Sequence, residues 1–399
     1  MTGLKASVVI PYKQRLHNIR TVFASLADQT MDPSQFEVVV GAMEYAEDYV
    51  AACHEFTDRI TVVSVLSAEP WNVSRARNLA LRQASGEVTV FLDADMVLPP
   101  HLLQNLYDRY FADGQNLCVL GQAIGYSCVV EHGHARGVDS GGERLPYSHY
   151  RDAIADLETS GGVWADDRFV LASVPLPWTL CWSGLAALPT ATLRDNDLTF
   201  DEGFRGWGLE DQEWGYRIHA TGTPLVPGEN VYGLHMPHAR DTAAESDSHT
   251  SNSRYFLAKW PTLGTELSST FGWEQANIRY AEAQRQVTAA AVTPDHTLGI
   301  AYGKANGLDM LIVGAVIEAR QRVLDPDIRA LFDDGSTIEV LPLAGLALPY
   351  GDKTFDECRI MPSIFRLSAE YRDLVCVEAA RVASTVVPCP SAAPEVAAE

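Results

Sequence analysis

Apolar residues in the first hundred positions follow two alternating rhythms. Short continuous runs, rich in β-branched residues and closed by Pro, Gly or an acid, predict buried strands at 7–10, 36–40, 60–66 and 88–92. Between them, apolar positions three and four apart predict helices. Leu16, Ile19, Val22, Phe23 and Leu26 share one face of 15–27, and further helices are expected at 47–56 and at 72–83, the last capped by Asn72 or Ser74. Such alternation builds an α/β fold around a doubly wound, mostly parallel sheet with right-handed crossovers.

Regularity then lapses. From 121 to 177 the chain carries a Gly- and His-rich stretch, 131–142, and the pair Gly161-Gly162, a composition of loops lying over a site. Order resumes at 178–188 and in helices expected at 210–220, 253–260 (stopped by Pro261) and about 273–287. Residues 289–294 are small and without periodicity, as in a linker. The expected organisation is a main domain over 1–290, a small α/β accessory domain over 291–386 and a disordered tail over 387–399, rich in Pro, Ala and Glu.

Charge removes some partners. Thirty basic against 52 acidic residues give a net charge of −22, and no Lys/Arg cluster is dense enough to track phosphates, which excludes nucleic acid or an anionic membrane as the main partner. No apolar run approaches the roughly 18 residues of a spanning helix, and no signal-peptide core follows Met1. The seven cysteines are odd in number, scattered and without a Cys-x-x-Cys, as expected of reduced thiols in a cytoplasmic protein.

Candidate chemistry begins where the fourth strand ends, at Asp93-Ala94-Asp95. Ligands of open α/β sheets bind beyond the carboxyl ends of the strands, so both acids would be delivered to a site. Paired carboxylates suit Mg²⁺ or Mn²⁺, whose shells are completed by phosphate oxygens and water. A dinucleotide fold is disfavoured, because no Gly-x-Gly-x-x-Gly follows the first strand. Downstream, Glu210 and Asp211 open a helix after Gly206-Trp207-Gly208. The helix dipole there would lower a carboxylate's pKa, although a carboxylate base still works when the attacking hydroxyl loses its proton late. Asp211, Trp214 and Ile218 share one helical face, and Glu210 lies about 100° round from it.

Four ordered segments, Ser7-Val8-Val9-Ile10-Pro11-Tyr12, Ser74-Arg75-Ala76-Arg77-Asn78, Asp93-Ala94-Asp95 and Gly206-Trp207-Gly208-Leu209-Glu210-Asp211, together resemble the signatures of family 2 and related inverting glycosyltransferases of the GT-A fold, over about residues 5–262. The resemblance implies transfer of a sugar from a nucleotide-sugar, UDP-linked by preference, to an acceptor hydroxyl of a carbohydrate, peptide or small molecule. It makes Asp95 the direct ligand of Mn²⁺ or Mg²⁺, with Asp93 on the ribose or the metal's waters, and places His235 as a third ligand, with His238 as a rival. Asp211 would be the base, with Glu210 the competing choice. Pro11, Tyr12, Glu44, Arg77, Asn78, Asp93, Ala94, Asp95 and Trp207 would line the nucleotide-sugar, Arg77 against the diphosphate and Trp207 against the sugar. Trp178 and Trp182 could serve either core or pocket.

The chain departs from that pattern at the second strand, where relatives place an acid against uracil. Here Val40 is followed by Gly41-Ala42-Met43-Glu44, leaving Glu44 to reach the base from the following turn. The carboxy-terminal segment resembles half of a class I methyltransferase, through 337–340, 346–356 and 378–382. Its cofactor loop is missing after 310–314, which points to a packing or protein-contact module. Two alternatives stay open for the whole: a sugar nucleotidyltransferase, though 11–15 lacks the glycine-rich phosphate loop, and a non-catalytic protein that binds nucleotide-sugar or carbohydrate.

Overall fold

The computed structural model describes residues 3–125, 144–160, 167–169, 171, 174–237, 242–293, 295–318, 320 and 322–388. The chain forms two compact units, one of residues 1–172 and 177–249, the other of 173–176 and 250–399.

The first unit follows the expected alternation. Strand β1 (Ala6–Tyr12) leads to α1 (Leu16–Ala27), β2 (Phe36–Ala42), α2 (Glu47–Glu55), β3 (Val62–Leu66), α3 (Val73–Leu81), β4 (Val88–Leu92), β5 (Met96–Val97), α4 (Leu102–Tyr110) and β6 (Cys118–Ile124). Next come α5 (Tyr147–Ser160), β7 (Leu185–Pro189), α6 (Thr190–Asp195), α7 (Glu210–Ala220) and β8 (Leu225–His235). The eight strands pair in the order β3-β2-β1-β4-β7-β6-β8-β5. β3, β2, β1 and β4 are parallel, β7 is antiparallel to both β4 and β6, and β8 runs parallel to β6. The carboxyl ends of β1, β2, β4, β6 and β8 therefore reach one edge of the sheet, and the chain enters β7 from that same edge. The candidate residues gather there.

Burial explains the continuous apolar runs: every residue of β1, β2 and β4 is buried, as a sheet covered on both faces requires. On one face Phe91, Phe200 and Trp214 form an aromatic cluster, with Phe200 and Trp214 stacked at 4.6 Å. On the other, α1 contributes Ile19, Val22, Phe23 and Leu26. Asn72 caps α3 through a bond from the Arg75 amide, which settles the choice between Asn72 and Ser74. Gly41 lets α3 lie on β2, because a Cβ there would sit 1.9 Å from the Ala76 carbonyl oxygen.

The division between units falls within α8 (Thr242–Lys259), well before the expected boundary at 290. In the second unit α9 (Leu263–Ala291) bends at Gly272 and is followed by β9 (His296–Ala305), β10 (Leu308–Glu318), α10 (Pro326–Arg329), β11 (Glu339–Leu341), β12 (Phe355–Ile360), α11 (Ala369–Val382) and β13 (Ala383–Pro388). The sheet order is β11-β9-β10-β12-β13, an antiparallel β9–β10 hairpin continued by parallel β12 and β13. The expected linker begins inside the last turn of α9, since a mutual cap between Thr262 and Thr265 starts this helix early and its Ala-rich end prolongs it. Residues 387 and 388, expected in the tail, pair with Arg359 and Ile360; the tail from 389, like the stretch 131–142 and Gly161-Gly162, lies outside the described residues.

Candidate active site

Asp93, Ala94 and Asp95 link β4 to β5 at the sheet edge. The Asp93 amide donates to the Gly184 carbonyl (3.0 Å), and the Met236 amide donates to the Asp95 carbonyl (2.7 Å). Pairing of Met96 with His235 between β5 and β8 then brings His235 Nε2 to 3.8 Å from Asp95 Oδ1. Strand register thus unites two residues 140 positions apart in sequence. His238, the rival ligand, lies outside the described residues. Arg15, which the sequence reading did not single out, forms an ion pair with Asp95 Oδ2 from the loop after β1.

Helix α3 carries the second cation. Arg77 is buried, its Nη2 lies 3.0 Å from Asp93 Oδ1, its Nη1 lies 3.1 Å from Glu210 Oε1, and its guanidinium covers the Phe200 ring at 5.1 Å. It therefore ties the strand-end acid to the start of α7, where diphosphate contact alone was expected. Asn78, expected at the nucleotide, has its amide engaged elsewhere: Nδ2 donates to the Phe200 carbonyl (2.8 Å) and to Glu202, and Oδ1 accepts from the Phe200 amide (2.8 Å). With Asn72 bonded to the Glu202 and Phe204 carbonyls and Arg75 to the Glu202 carboxylate, α3 fixes the segment 200–204 that leads into α7.

That lead-in is tightly wound. Gly206 and Gly208 have φ of 71° and 95°, and Leu209, a residue for which positive φ is costly, has 73°. The turn delivers Glu210 and Asp211 side by side while Trp214 and Ile218 lock α7 into the core. Asp211 accepts from its neighbour's amide, Gln212, at 2.9 Å and from the Ser183 amide at 3.4 Å. Burial, then the charges of Glu210 and Asp93, outweigh Arg77 and push the Asp211 carboxyl up to about 7. The direction is opposite to the lowering expected from the helix dipole, with desolvation and two neighbouring acids as its causes.

Trp207 is 43% exposed, its amide held by Ser248 Oγ (3.1 Å) and its ring 5.9 Å from that of His249, so the indole stands at the surface rather than in the core. Trp178 is buried and meets Tyr216 edge-on. Trp182 lies beneath the guanidinium of buried Arg168, 3.9 Å from its ring centre. Arg168 also donates to the Leu180 and Gly121 carbonyls and so holds the 180–184 segment in place.

On the β1–β2 side, Pro11 and Tyr12 are buried. The Tyr12 ring stacks on Tyr49 at 4.3 Å, and burial with the nearby Glu44 charge pushes its phenol up to about 12. Glu44 accepts from the Gln14 amide and joins the loops that follow the two strands. Ala94 is buried. The exposed rings of Tyr45 and Trp71, in the loops after β2 and β3, were not foreseen.

Among the described residues no group of three or more His, Cys, Asp and Glu side chains could hold a metal. A two-residue set, Asp95 with His235, nevertheless fits Mn²⁺ or Mg²⁺ bound mainly through donor phosphates, since such ions take few protein ligands and keep several waters. Asp93, also expected near the ion, has Oδ1 engaged by Arg77.

Residues 7–164 match the sequence model of Glycosyl transferase family 2. The chain is 28% identical to validoxylamine A glucosyltransferase of Streptomyces hygroscopicus subsp. limoneus, over 96% of this chain and 89% of that one. The enzyme of the same name from Streptomyces hygroscopicus subsp. jinggangensis is 27% identical, with 96% of each chain covered. Among solved structures, Staphylococcus aureus TarS 1–349 in complex with UDP-GlcNAc aligns with 73% of this chain and 76% of that one, at 16% identity and a TM-score of 0.48.

Proposed function

We propose that the chain is a family 2-like glycosyltransferase of the GT-A fold that moves a sugar from a nucleotide-sugar, UDP-linked by preference, to an acceptor hydroxyl with inversion at the anomeric carbon, a reading supported by the match of residues 7–164 and by the two Streptomyces relatives. The observation that carries this reading is one carboxyl, Asp211, pushed up to about 7 beside the Asp-x-Asp edge. A base near neutrality can take the acceptor proton as the new C–O bond forms. The described site offers no further carboxylate in the place of a nucleophile: Asp93 and Glu210 are both held by Arg77, and Asp95 by Arg15. A lone base of this kind supports a single displacement, and so inversion.

Asp95 and His235 would hold a divalent cation, which when bound neutralises the diphosphate as charge develops on it. Asp93, oriented by Arg77 and by its amide bond to Gly184, faces the donor. Trp207 presents an indole to the apolar side of a sugar. Every group named lies in the first unit, to which the chemistry is assigned. The names of the two Streptomyces relatives favour glucose as the transferred sugar and validoxylamine A, or a similar hydroxyl compound, as the first acceptor to assay. The nucleotidyltransferase alternative lacks support in 11–15, where no glycine is present.

The test is a panel of UDP- and GDP-sugars with Mn²⁺, Mg²⁺ or chelator, followed by NMR of the product's anomeric configuration. Inverted product formed from a UDP-sugar and abolished by chelator is expected. Retained configuration would refute the single displacement, and full activity in chelator would refute the cation.

A further inference from the structure

The helical path of α9 breaks at Gly272, with φ of 76° and ψ of 173°, and both arms of the bent helix line one cavity with β9. Glu266 comes from the arm before the bend. Tyr280, Gln284 and Val287, spaced four and three apart, share one face of the arm after it. His296, Thr297 and Leu298 of β9 face them, and Ala344 completes the wall. Every one of these residues belongs to the second unit, whereas the candidate catalytic groups belong to the first.

The lining combines carbon surface with neutral polar groups. Val287, Leu298 and Ala344 are buried, Tyr280 is half-buried, and Gln284 stands exposed at the mouth. Among the described residues, the Tyr280 hydroxyl, the Gln284 carboxamide and the Thr297 hydroxyl make no hydrogen bond. His296 Nδ1 lies 2.6 Å from Thr293 Oγ1, which fixes the ring and leaves Nε2 as its other hydrogen-bonding atom. Glu266 is spent on the amides of 344–347 and so sets the wall that Ala344 presents. Among the described residues no Lys or Arg lines the cavity, so a phosphate or a nucleotide finds no cation there. Size agrees with chemistry: pockets for drug-sized ligands span roughly 300–1,000 Å³, so a cavity of about 190 Å³ suits a single ring. A sugar ring offers the matching surface, since its C–H face packs on aromatic and aliphatic carbon while its hydroxyls need neutral donors and acceptors.

We propose that this cavity is a non-catalytic binding site for a neutral, polyhydroxylated six-membered ring, a pyranose or a cyclitol. The second unit would then bind carbohydrate in its own right, where its sequence pointed to a packing or protein-contact module. The site goes beyond the transfer reading and does not depend on it, because it shares no residue with the groups assigned to transfer.

Saturation-transfer NMR titrations of the full chain with glucose, myo-inositol and glucose 6-phosphate test it, for the parent, Gln284→Ala and Gln284→Ala combined with Thr297→Val. Glucose, myo-inositol or both should bind the parent saturably, with a dissociation constant on the order of 1 mM, as for a small neutral ligand of modest efficiency. Binding of only one of the two identifies the ring and supports the site. Gln284→Ala should weaken binding roughly 5-fold, the worth of one neutral hydrogen bond, and the double variant should weaken it further. Gln284 is exposed, so its single variant tests the site even where thermal melting shows the double variant to be destabilised. Absence of saturable binding by both neutral rings overturns the proposal. So does binding that Gln284→Ala and the folded double variant retain at parental strength, since the sugar then lies elsewhere on the chain. Tighter binding of glucose 6-phosphate than of glucose overturns the neutral class of ligand.

Discussion

Each unit of this chain holds a carboxyl that burial pushes up to about 7, Asp211 in the first and Glu266 in the second, yet the two are built for opposite ends. Glu266 is fully buried and saturated: Oε2 accepts from the Ala344 amide at 2.9 Å, and Oε1 from Gly345 and Leu346 at 2.7 Å and Ala347 at 3.5 Å. It gathers the loop 344–347 and has nothing left to offer a substrate. Asp211 is partly accessible, accepts two amide bonds, one of them long, and stands among Glu210, Asp93 and Arg77. A raised pKa alone therefore does not mark a base. Unfilled acceptor capacity at an accessible edge, beside other charges, does.

The sharpest separation is expected from removing the two charges. Asp211→Asn is nearly isosteric and should lower turnover by roughly 10²-fold or more, the scale of general-base catalysis, with donor binding by calorimetry unchanged. Since Asp211 ionises above its unfolded value, the folded state is disfavoured as pH rises through about 7, so the variant should also melt higher than the parent at pH 8. Near-native turnover, with a large loss in Glu210→Gln instead, would move the role to Glu210.

Glu266→Ala should do the reverse. It strands the amides of 344–347 in a buried loop, and unfolding should show a loss of about 3–5 kcal/mol, as when one partner of a buried charged network is removed. The pH profile of transfer by the folded protein should keep its shape. A variant that melts like the parent would mean that the four amide bonds contribute little to the second unit.

Much of the first unit was legible because local signals and tertiary needs coincide there. The buried runs at 36–40 and 88–92 became β2 and β4, and the expected helix at 210–220 matches α7 (Glu210–Ala220). The Asp-x-Asp announced itself by its place at a strand end. Arg15 and the engagement of Asn78 were not legible: which carboxylate an arginine meets 80 residues on depends on the sheet order, and whether an amide faces ligand or backbone depends on where 200–204 is laid. Glu266 gave no signal, since a lone acid in the first turn of a helix ordinarily faces water. The unit boundary was misjudged for a related reason: the small residues at 289–294 look like a linker until the packing of α9 on β9 is known.

Acidity offers a finer test of what sets Asp211 apart. A base must be deprotonated, so kcat/KM should rise about tenfold per pH unit below about 7 and level off above it. The positive charge of Arg77 holds the carboxyl down against the negative charges of Glu210 and Asp93. Arg77→Met should therefore move the rising limb to higher pH, besides loosening Asp93 and Glu210. A limb that stays in place in the variant would show that burial alone sets the acidity.

The smallest effect on transfer is expected at Asn78, and it asks whether the α3 signature acts on the ligand or on the protein. Its amide makes a reciprocal pair with the Phe200 backbone, and Phe200 stacks on Trp214 beneath Arg77. Asn78→Ala leaves a buried amide and carbonyl of Phe200 without that partner, a loss of about 1–3 kcal/mol in chemical denaturation. UDP affinity should change by less than about twofold, because a tenfold change requires some 1.4 kcal/mol of lost ligand contact and the amide makes none through its engaged atoms. A variant of parental stability that binds UDP tenfold more weakly would return Asn78 to the nucleotide and make the Phe200 pairing incidental. The converse result would place Asn78 with Glu266, as a group whose polar atoms hold backbone in position so that others can meet the substrate.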